Sequence, residues 1–224
     1  MNYLILVGGQ GKRLRKAVQD LPKPLAPIGK KPFLDLFFKH IGFKPSDTIY
    51  LLCHYKLSAF EDYKMRTNYN VEIIEENHAL GTGGAVKNAF ELLDIESALV
   101  FNGDCIQNLN LSALEYKINE NSPLPHIVVR EVDDVTRYGQ VIVKNNYILG
   151  FKEKNKNSKG LINSGIYYLT KKEIDLLPCG NSSLEKDLFE RYCNKINFKA
   201  YTETGYFIDI GVPEDYLKAV ELYS

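Results

Sequence analysis

Gly8, Gly9 and Gly11 follow one another closely, and Lys12 and Arg13 come directly after them. A turn with so few Cβ atoms lets successive backbone N–H groups converge on an anion. The planar donor fork of Arg13 and the ammonium of Lys23 add fixed positive charge to the same place. This is chemistry for a polyphosphate. Lys23 stands between Pro22 and Pro24, whose fixed φ limits the paths open to the chain and presents the ammonium rigidly. Two other phosphate loops do not fit. No Gly-Lys-Ser/Thr ending of a Walker loop follows the glycines, and Leu14 stands where a dinucleotide fingerprint has its third glycine. A strand, a glycine turn and a helix also occur in α/β domains that bind nothing there, so the cations matter more than the glycines.

Asp104 follows the apolar run Ala98 to Phe101 and a glycine, Gly103, which puts its carboxylate at a strand end. A carboxylate there suits Mg²⁺, which takes one or two such groups with phosphate oxygens and water, and it equally suits a helix cap or turn. His40, His54, His78 and His126 share no metal-binding spacing and are expected to be ordinary surface or partly buried side chains. Cys53, Cys105, Cys179 and Cys193 form no C-x-x-C pair and read as reduced thiols in apolar or mixed segments. Lysine plus arginine and aspartate plus glutamate balance at 28 each, so no general basic field exists for nucleic acid or an anionic membrane. Tyr3 to Val7 is too short for a signal peptide, and no apolar run approaches a membrane span. A cytoplasmic protein is expected.

The elements that must position these residues alternate. Short runs at Tyr3–Val7, Thr48–Cys53, Val71–Glu75 and Ala98–Asn102 read as strands, and Pro32–His40 and Gly84–Leu93 have helical periodicity. Repeated βαβ units imply a parallel sheet with its ligand crevice at the carboxyl ends of the strands, where Gly8–Arg13 and Gly103-Asp104 fall. After Leu111 the runs Ile127–Glu131, Gln140–Lys144, Tyr147–Glu153 and Ile162–Leu169 indicate antiparallel or mixed sheet, with a turn at Asn145-Asn146. Ser182 to Glu185 offers an N-cap for a segment carrying Leu188, Phe189 and Tyr192, and Pro213 to Tyr223 reads as a helix. No repeat, linker or low-complexity tract is seen, so one domain over 1–224 is expected, with 1–110 and 111–224 as its halves and no β-helix domain.

Eight motifs in order carry a resemblance: Leu6 to Leu14 (LVGGQGKRL), Pro22-Lys23-Pro24, Leu80 to Ala85 (LGTGGA), Asn102-Gly103-Asp104, Arg137-Tyr138-Gly139, Glu153-Lys154, Asn163-Ser164-Gly165 and Phe207 to Tyr216 (FIDIGVPEDY). With these the chain resembles the sugar-1-phosphate nucleotidyltransferases, and more closely their short D-glycero-D-manno-heptose 1-phosphate guanylyltransferases. The resemblance implies an α/β, Rossmann-like fold with a mixed, mainly parallel central sheet and helices on both faces. It implies a Mg²⁺-dependent reaction of a nucleoside triphosphate with a sugar 1-phosphate. Arg13, Lys23, Asp104 and Asp209 would be catalytic, and Asp104 and Asp209 would hold the metal. Leu6, Gly8, Gly9, Gly11, Lys12, Arg13, Glu76, Gly81, Thr82 and Gly103 would bind the nucleotide, with Leu80 to Ala85 as a base-binding loop. Lys12 is equally well a solvated side chain. Gly139, Glu153, Lys154, Asn163 and Gly165 would bind the sugar. The family often continues Glu-Lys with proline, whereas Asn155 follows here.

Glu76 falls where the resemblance implies a residue reading the base edge. A carboxylate only accepts, and guanine offers adjacent N1–H and N2–H donors, which favours GTP over UTP or dTTP; cytosine N4–H is also compatible. Uridylyl, cytidylyl or thymidylyl transfer to a hexose or N-acetylmuramate 1-phosphate therefore stays open. So does a non-catalytic paralogue that binds nucleotide sugar. Retention of Arg13, Lys23, Asp104 and Asp209 together argues against the paralogue. Oligomeric state is not legible, though a homo-oligomer is compatible.

Overall fold

The β-branched and aromatic runs become strands and the 3.6-period segments become helices in the computed structural model, which describes residues 1–9, 11, 14, 18, 21–120, 124–152 and 159–223. In chain order these are β1 (Tyr3–Leu6), β2 (Pro27–Ile28), β3 (Lys31–Pro32), α1 (Phe33–Ile41), β4 (Thr48–Cys53), α2 (Leu57–Arg66) and β5 (Asn70–Glu75). Then come α3 (Gly81–Leu93), β6 (Ser97–Asn102), β7 (Cys105–Gln107), α4 (Leu111–Glu120), β8 (His126–Val132), β9 (Gln140–Lys144) and β10 (Tyr147–Lys152). The last are β11 (Gly160–Thr170), α5 (Lys171–Ile174), β12 (Lys199–Glu203), β13 (Phe207–Asp209) and α6 (Pro213–Tyr223). A 3-10 turn covers Lys23–Leu25 and a π-helical segment covers Leu184–Glu190.

The chain forms two compact units that interleave in sequence. One comprises Asn2–Ala79, Asn102–Asn110 and Gly205–Ser224. In it β5, β4 and β1 pair in parallel in that order, as the βαβ reading requires. Phe33, Leu34, Phe37, Phe38 and Ile41 all fall on the buried side of α1, a 3–4 spacing that explains why this segment is a helix. Phe38 meets Phe43 edge-on at 5.6 Å and Tyr69 at 4.9 Å, and Phe43 meets Tyr3 of β1 at 5.0 Å. Gly42 ends α1 at φ +87°, where its N–H reaches the Phe38 carbonyl. The short strands β7 and β13 pair antiparallel, and the Tyr216 hydroxyl of α6 donates to the Pro27 carbonyl of β2 at 2.6 Å.

The other unit comprises Met1, Leu80–Phe101 and Leu111–Thr204. Its strands run β6-β11-β8-β12-β10-β9, antiparallel except for the parallel β8–β12 pair, which is the mixed sheet expected of this region. Tyr167, Phe189 and Phe198 are fully buried and pack ring against ring in its core. Asn145 and Asn146 both take positive φ and close the β9–β10 hairpin, as their short polar side chains allow.

Several elements escape the sequence pattern. Helix α2 buries only Phe60 and Tyr63, too few to show a periodic stripe, and α4, though it buries Leu111, Leu114 and Ile118 on one side, is only ten residues long. The helix expected from Gly84 begins at Gly81, because its first N–H groups are capped from a distant segment: Gly83 and Gly84 donate to the Ser182 carbonyl at 2.8 and 3.4 Å. Ser183 caps the following segment through Lys186 N–H, but the helix it starts is of π type. Among the described residues no helix is long and apolar enough to cross a membrane. The four cysteines are free thiols, with Cys53 and Cys105 buried.

Candidate active site

The end of β1 is the floor of the site. The Leu6 carbonyl accepts from Gly103 N–H at 3.0 Å, which brings the Asn102-Gly103-Asp104 turn alongside the start of the glycine loop. A Cβ on Gly103 would lie 2.9 Å from Val7 Cγ1 and 3.0 Å from Ile5 Cγ2, so only glycine lets the two segments approach this closely. From there Asp104 projects beside β7. Its own carbonyl accepts from Ile210 N–H at 3.0 Å, and the β7–β13 register sets Asp209 opposite Cys105. Asp104 and Asp209 are thus brought together by a two-stranded antiparallel pair.

Oxygens of Asp104 and Asp209 and the Cys105 sulfur all lie within 4.8 Å of one another. Asp209 Oδ1 accepts from Gly211 N–H at 2.7 Å, which fixes its carboxylate before any ligand arrives. Lys23 Nζ donates to Asp104 Oδ2 at 2.7 Å, with side chains 15% and 33% exposed. Burial opposes the ammonium charge and is the strongest single influence on it. Asp104, through charge and hydrogen bond, together with Asp209 outweighs that burial and holds Lys23 above its usual pKa of 10.5. The stem of Lys23 lies against the glycine loop: Gly11 has φ +57°, and a Cβ there would come 2.9 Å from Lys23 Cγ. The loop, the cation and the first carboxylate are therefore contiguous.

The donor set fits a hard divalent cation. Two carboxylates offer oxygen, and the Cys105 thiol beside them donates weakly to Asp104 Oδ1 at 3.5 Å.

Beside Gly8, at the start of the glycine loop, stands Glu76, 7% exposed, while its neighbour Glu75 is open to solvent. Glu76 Oε1 lies 3.1 Å from where a Cβ on Gly8 would sit, and His54 N lies 3.2 Å from that point. A side chain at position 8 would therefore crowd the carboxylate and the backbone of His54 and Leu52. Gly9 meets no such crowding.

In the second unit, Gly81 and Thr82 form the first turn of α3. The Thr82 hydroxyl accepts from Leu184 N–H at 2.9 Å and donates to Glu185 Oε2 at 3.0 Å. A Cβ on Gly81 would meet the Ser182 carbonyl oxygen at 2.4 Å, and one on Gly84 the Gly180 carbonyl oxygen at 2.2 Å. The glycines expected to form a base-binding loop thus also start a helix and accommodate the chain's own Gly180 and Ser182. Asn163 donates to the Tyr167 hydroxyl at 3.0 Å and accepts from Gly165 N–H at 2.9 Å, which braces the β11 bulge where Gly165 takes φ +81°. Gly139 takes φ +79° in the turn before β9. Lys12, Arg13, Glu153 and Lys154, with Asn155, lie outside the described residues. Residues that sequence reasoning missed are His54, Cys105 and the Ser182–Glu185 strap, each significant only through a partner distant in sequence.

The sequence profile of the family described as nucleotidyl transferase matches residues 2–224. The chain belongs to that family. It is 36% identical to D-glycero-alpha-D-manno-heptose 1-phosphate guanylyltransferase of Aneurinibacillus thermoaerophilus, an alignment covering 98% of this chain and 96% of the relative. With the protein of the same name from Campylobacter jejuni subsp. jejuni serotype O:2 the identity is 37%, over 96% and 97% of the two chains. The crystal structure of HddC from Yersinia pseudotuberculosis complexed with GMP-PN matches with a TM-score of 0.84 at 36% identity, covering 100% of this chain and 99% of that one. The fold is thus the Rossmann-like mixed α/β fold of the nucleotidyltransferases. Nucleotidyltransferases generally use a divalent metal.

Proposed function

We propose that this nucleotidyltransferase moves a guanylyl group from GTP to D-glycero-α-D-manno-heptose 1-phosphate, releasing pyrophosphate, with Mg²⁺ as the cation. A phosphate oxygen of the sugar phosphate attacks the α-phosphorus, and the bond from that phosphorus to the β-phosphate bridging oxygen breaks. A phosphate monoester is largely doubly ionised at neutral pH, with a second pKa of about 6, so no side-chain base is required to make the nucleophile. What the protein must supply is alignment and charge. Lys23 neutralises the triphosphate beside the Gly11 loop, and Arg13 and Lys12 act on the same anion. Asp104 and Asp209 would hold Mg²⁺, whose chemistry is to offset charge on the phosphate oxygens. Glu76 accepts from the guanine N1–H and N2–H, with Leu6, Gly8, Gly9, Gly11, Gly81, Thr82 and Gly103 completing the nucleotide site. Gly139, Glu153, Lys154, Asn163 and Gly165 receive the sugar phosphate. The whole of 1–224 serves as one transferase domain, in the cytoplasm, supplying GDP-heptose to a bacterial surface glycan.

One observation carries this reading: Lys23 touches both Gly11 of the phosphate turn and Asp104, with Asp209 beside it. The 36–37% identity over nearly the full length with heptose 1-phosphate guanylyltransferases supports the choice of base and sugar. Purified protein assayed for pyrophosphate against four nucleoside triphosphates and a set of sugar 1-phosphates tests it. GTP with the heptose phosphate is expected to lead by at least about 100-fold in kcat/KM over any other pairing. Turnover of UTP or dTTP with GTP inert would overturn the role of Glu76.

A further inference from the structure

Glu76 is the first residue beyond β5, where the register with β4 stops at Cys53 opposite Glu75. Its backbone is nevertheless held at both polar groups. Glu76 N–H donates to the Cys53 carbonyl at 2.7 Å, and the Glu76 carbonyl lies 3.0 Å from His54 Nδ1. A carbonyl only accepts, so Nδ1 carries the hydrogen of that bond. The imidazole therefore supplies one more rung after the backbone ladder ends. With both peptide groups of Glu76 fixed, the direction of its Cα–Cβ bond is fixed as well. The side chain is then confined against Gly8, where the same point lies 3.1 Å from Glu76 Oε1 and 3.2 Å from His54 N.

We infer that His54 is a positioning residue for guanine recognition, holding through its Nδ1–H the carbonyl of Glu76 and so the aim of the carboxylate that reads the base. This rests on the reading of Glu76 given above. A carboxylate that accepts two parallel N–H bonds from a purine edge tolerates little misplacement, because each bond weakens steeply as it bends. Loss of the rung therefore costs affinity for the base that uses both bonds and spares a base that does not.

The test is equilibrium binding of GTP and of UTP, each with Mg²⁺, to the full chain and to His54→Ala, His54→Asn and Glu76→Gln. His54→Ala is expected to reduce the GTP-over-UTP preference by about 10-fold, the worth of roughly one hydrogen bond, with UTP affinity unchanged. Asparagine carries an amide N–H near the place of Nδ1, so His54→Asn is expected to keep the wild-type preference. Should His54→Ala retain that preference while Glu76→Gln loses it, the inference about His54 fails and the role of Glu76 stands. Equal weakening of GTP and UTP by His54→Ala, or no rescue by asparagine, also overturns it. Preference unchanged in Glu76→Gln overturns the base-reading role itself.

Discussion

Lys23 Nζ sits 2.7 Å from Asp104 Oδ2, at the place where a second carboxylate, Asp209, also converges. Among the described residues, the ammonium pairs with Asp104, one of two neighbouring acids that would otherwise repel one another. A divalent ion approaching these carboxylates meets a resident positive charge.

Replacement of Lys23 by methionine is accordingly expected to have opposite effects on metal binding and on catalysis. In the absence of nucleotide, Mn²⁺ affinity followed by electron paramagnetic resonance should rise by on the order of 10-fold, since a nearby like charge is gone. Pyrophosphate release should fall by at least about 100-fold, the usual scale for loss of a charge aimed at a reacting phosphate. Weaker Mn²⁺ binding in Lys23→Met would contradict the competition.

The start of α3 leaves no room for a methyl group at position 84. Gly84→Ala places a carbon 2.2 Å from the Gly180 carbonyl oxygen, and backbone must move to admit it. A loss of about 3 kcal/mol in stability is expected by urea unfolding. Gly150→Ala, with nothing within 4 Å of the new carbon, should change stability by no more than about 0.5 kcal/mol.

Acid sensitivity is expected from His126, which is buried in β8 and donates from Nδ1 to the Leu124 carbonyl at 2.7 Å. Burial, with the nearby charges of Lys199 and Lys117, lowers its pKa below the usual 6.5 despite that hydrogen bond. The unfolded chain then binds the proton more readily than the folded one. Its contribution is complete above pH 6.5 and is lost as pH falls toward the folded value. Chemical denaturation from pH 7.5 to 5 should show this decline, and His126→Asn should flatten it by up to roughly 1.4 kcal/mol per pH unit. His40, also lowered, keeps part of the slope in that variant.

Thiol labelling should separate the cysteines by their surroundings. Cys179 is exposed and should react with a disulfide reagent in the native protein, whereas Cys53 and Cys105 are buried with raised pKa values. The full count of four thiols is expected only after denaturation. Prompt modification of Cys105 in the folded protein would contradict the closed packing beside Asp104.

Local chemistry made some of this site legible and left the rest hidden. Lys23 could be read because two prolines flank it, and Asp104 because an apolar strand and a glycine precede it. Nothing local ties Asp209 to Asp104; only the order of motifs and the resemblance did so, since the β7–β13 register that joins them is a long-range pairing. The glycines from 81 to 84 were legible as unusual, but their fit against the backbone of 180–182 was not, because that packing is long-range. His54 carried no signal, as one imidazole has meaning only beside the carbonyl it holds. The parallel strands β1, β4 and β5 could be read because each is a short apolar run, and α2 could not because it buries two side chains.

Asp209 belongs to the last of the three sequence segments that make up its unit, whereas Gly8, Lys23, Glu76 and Asp104 belong to the earlier two. A nascent chain therefore emerges with Gly8, Lys23 and Asp104 long before Asp209. A chain interrupted ahead of Gly205 would lack β13, and with it the only strand that pairs with β7 among the described residues and sets Asp209 opposite Cys105.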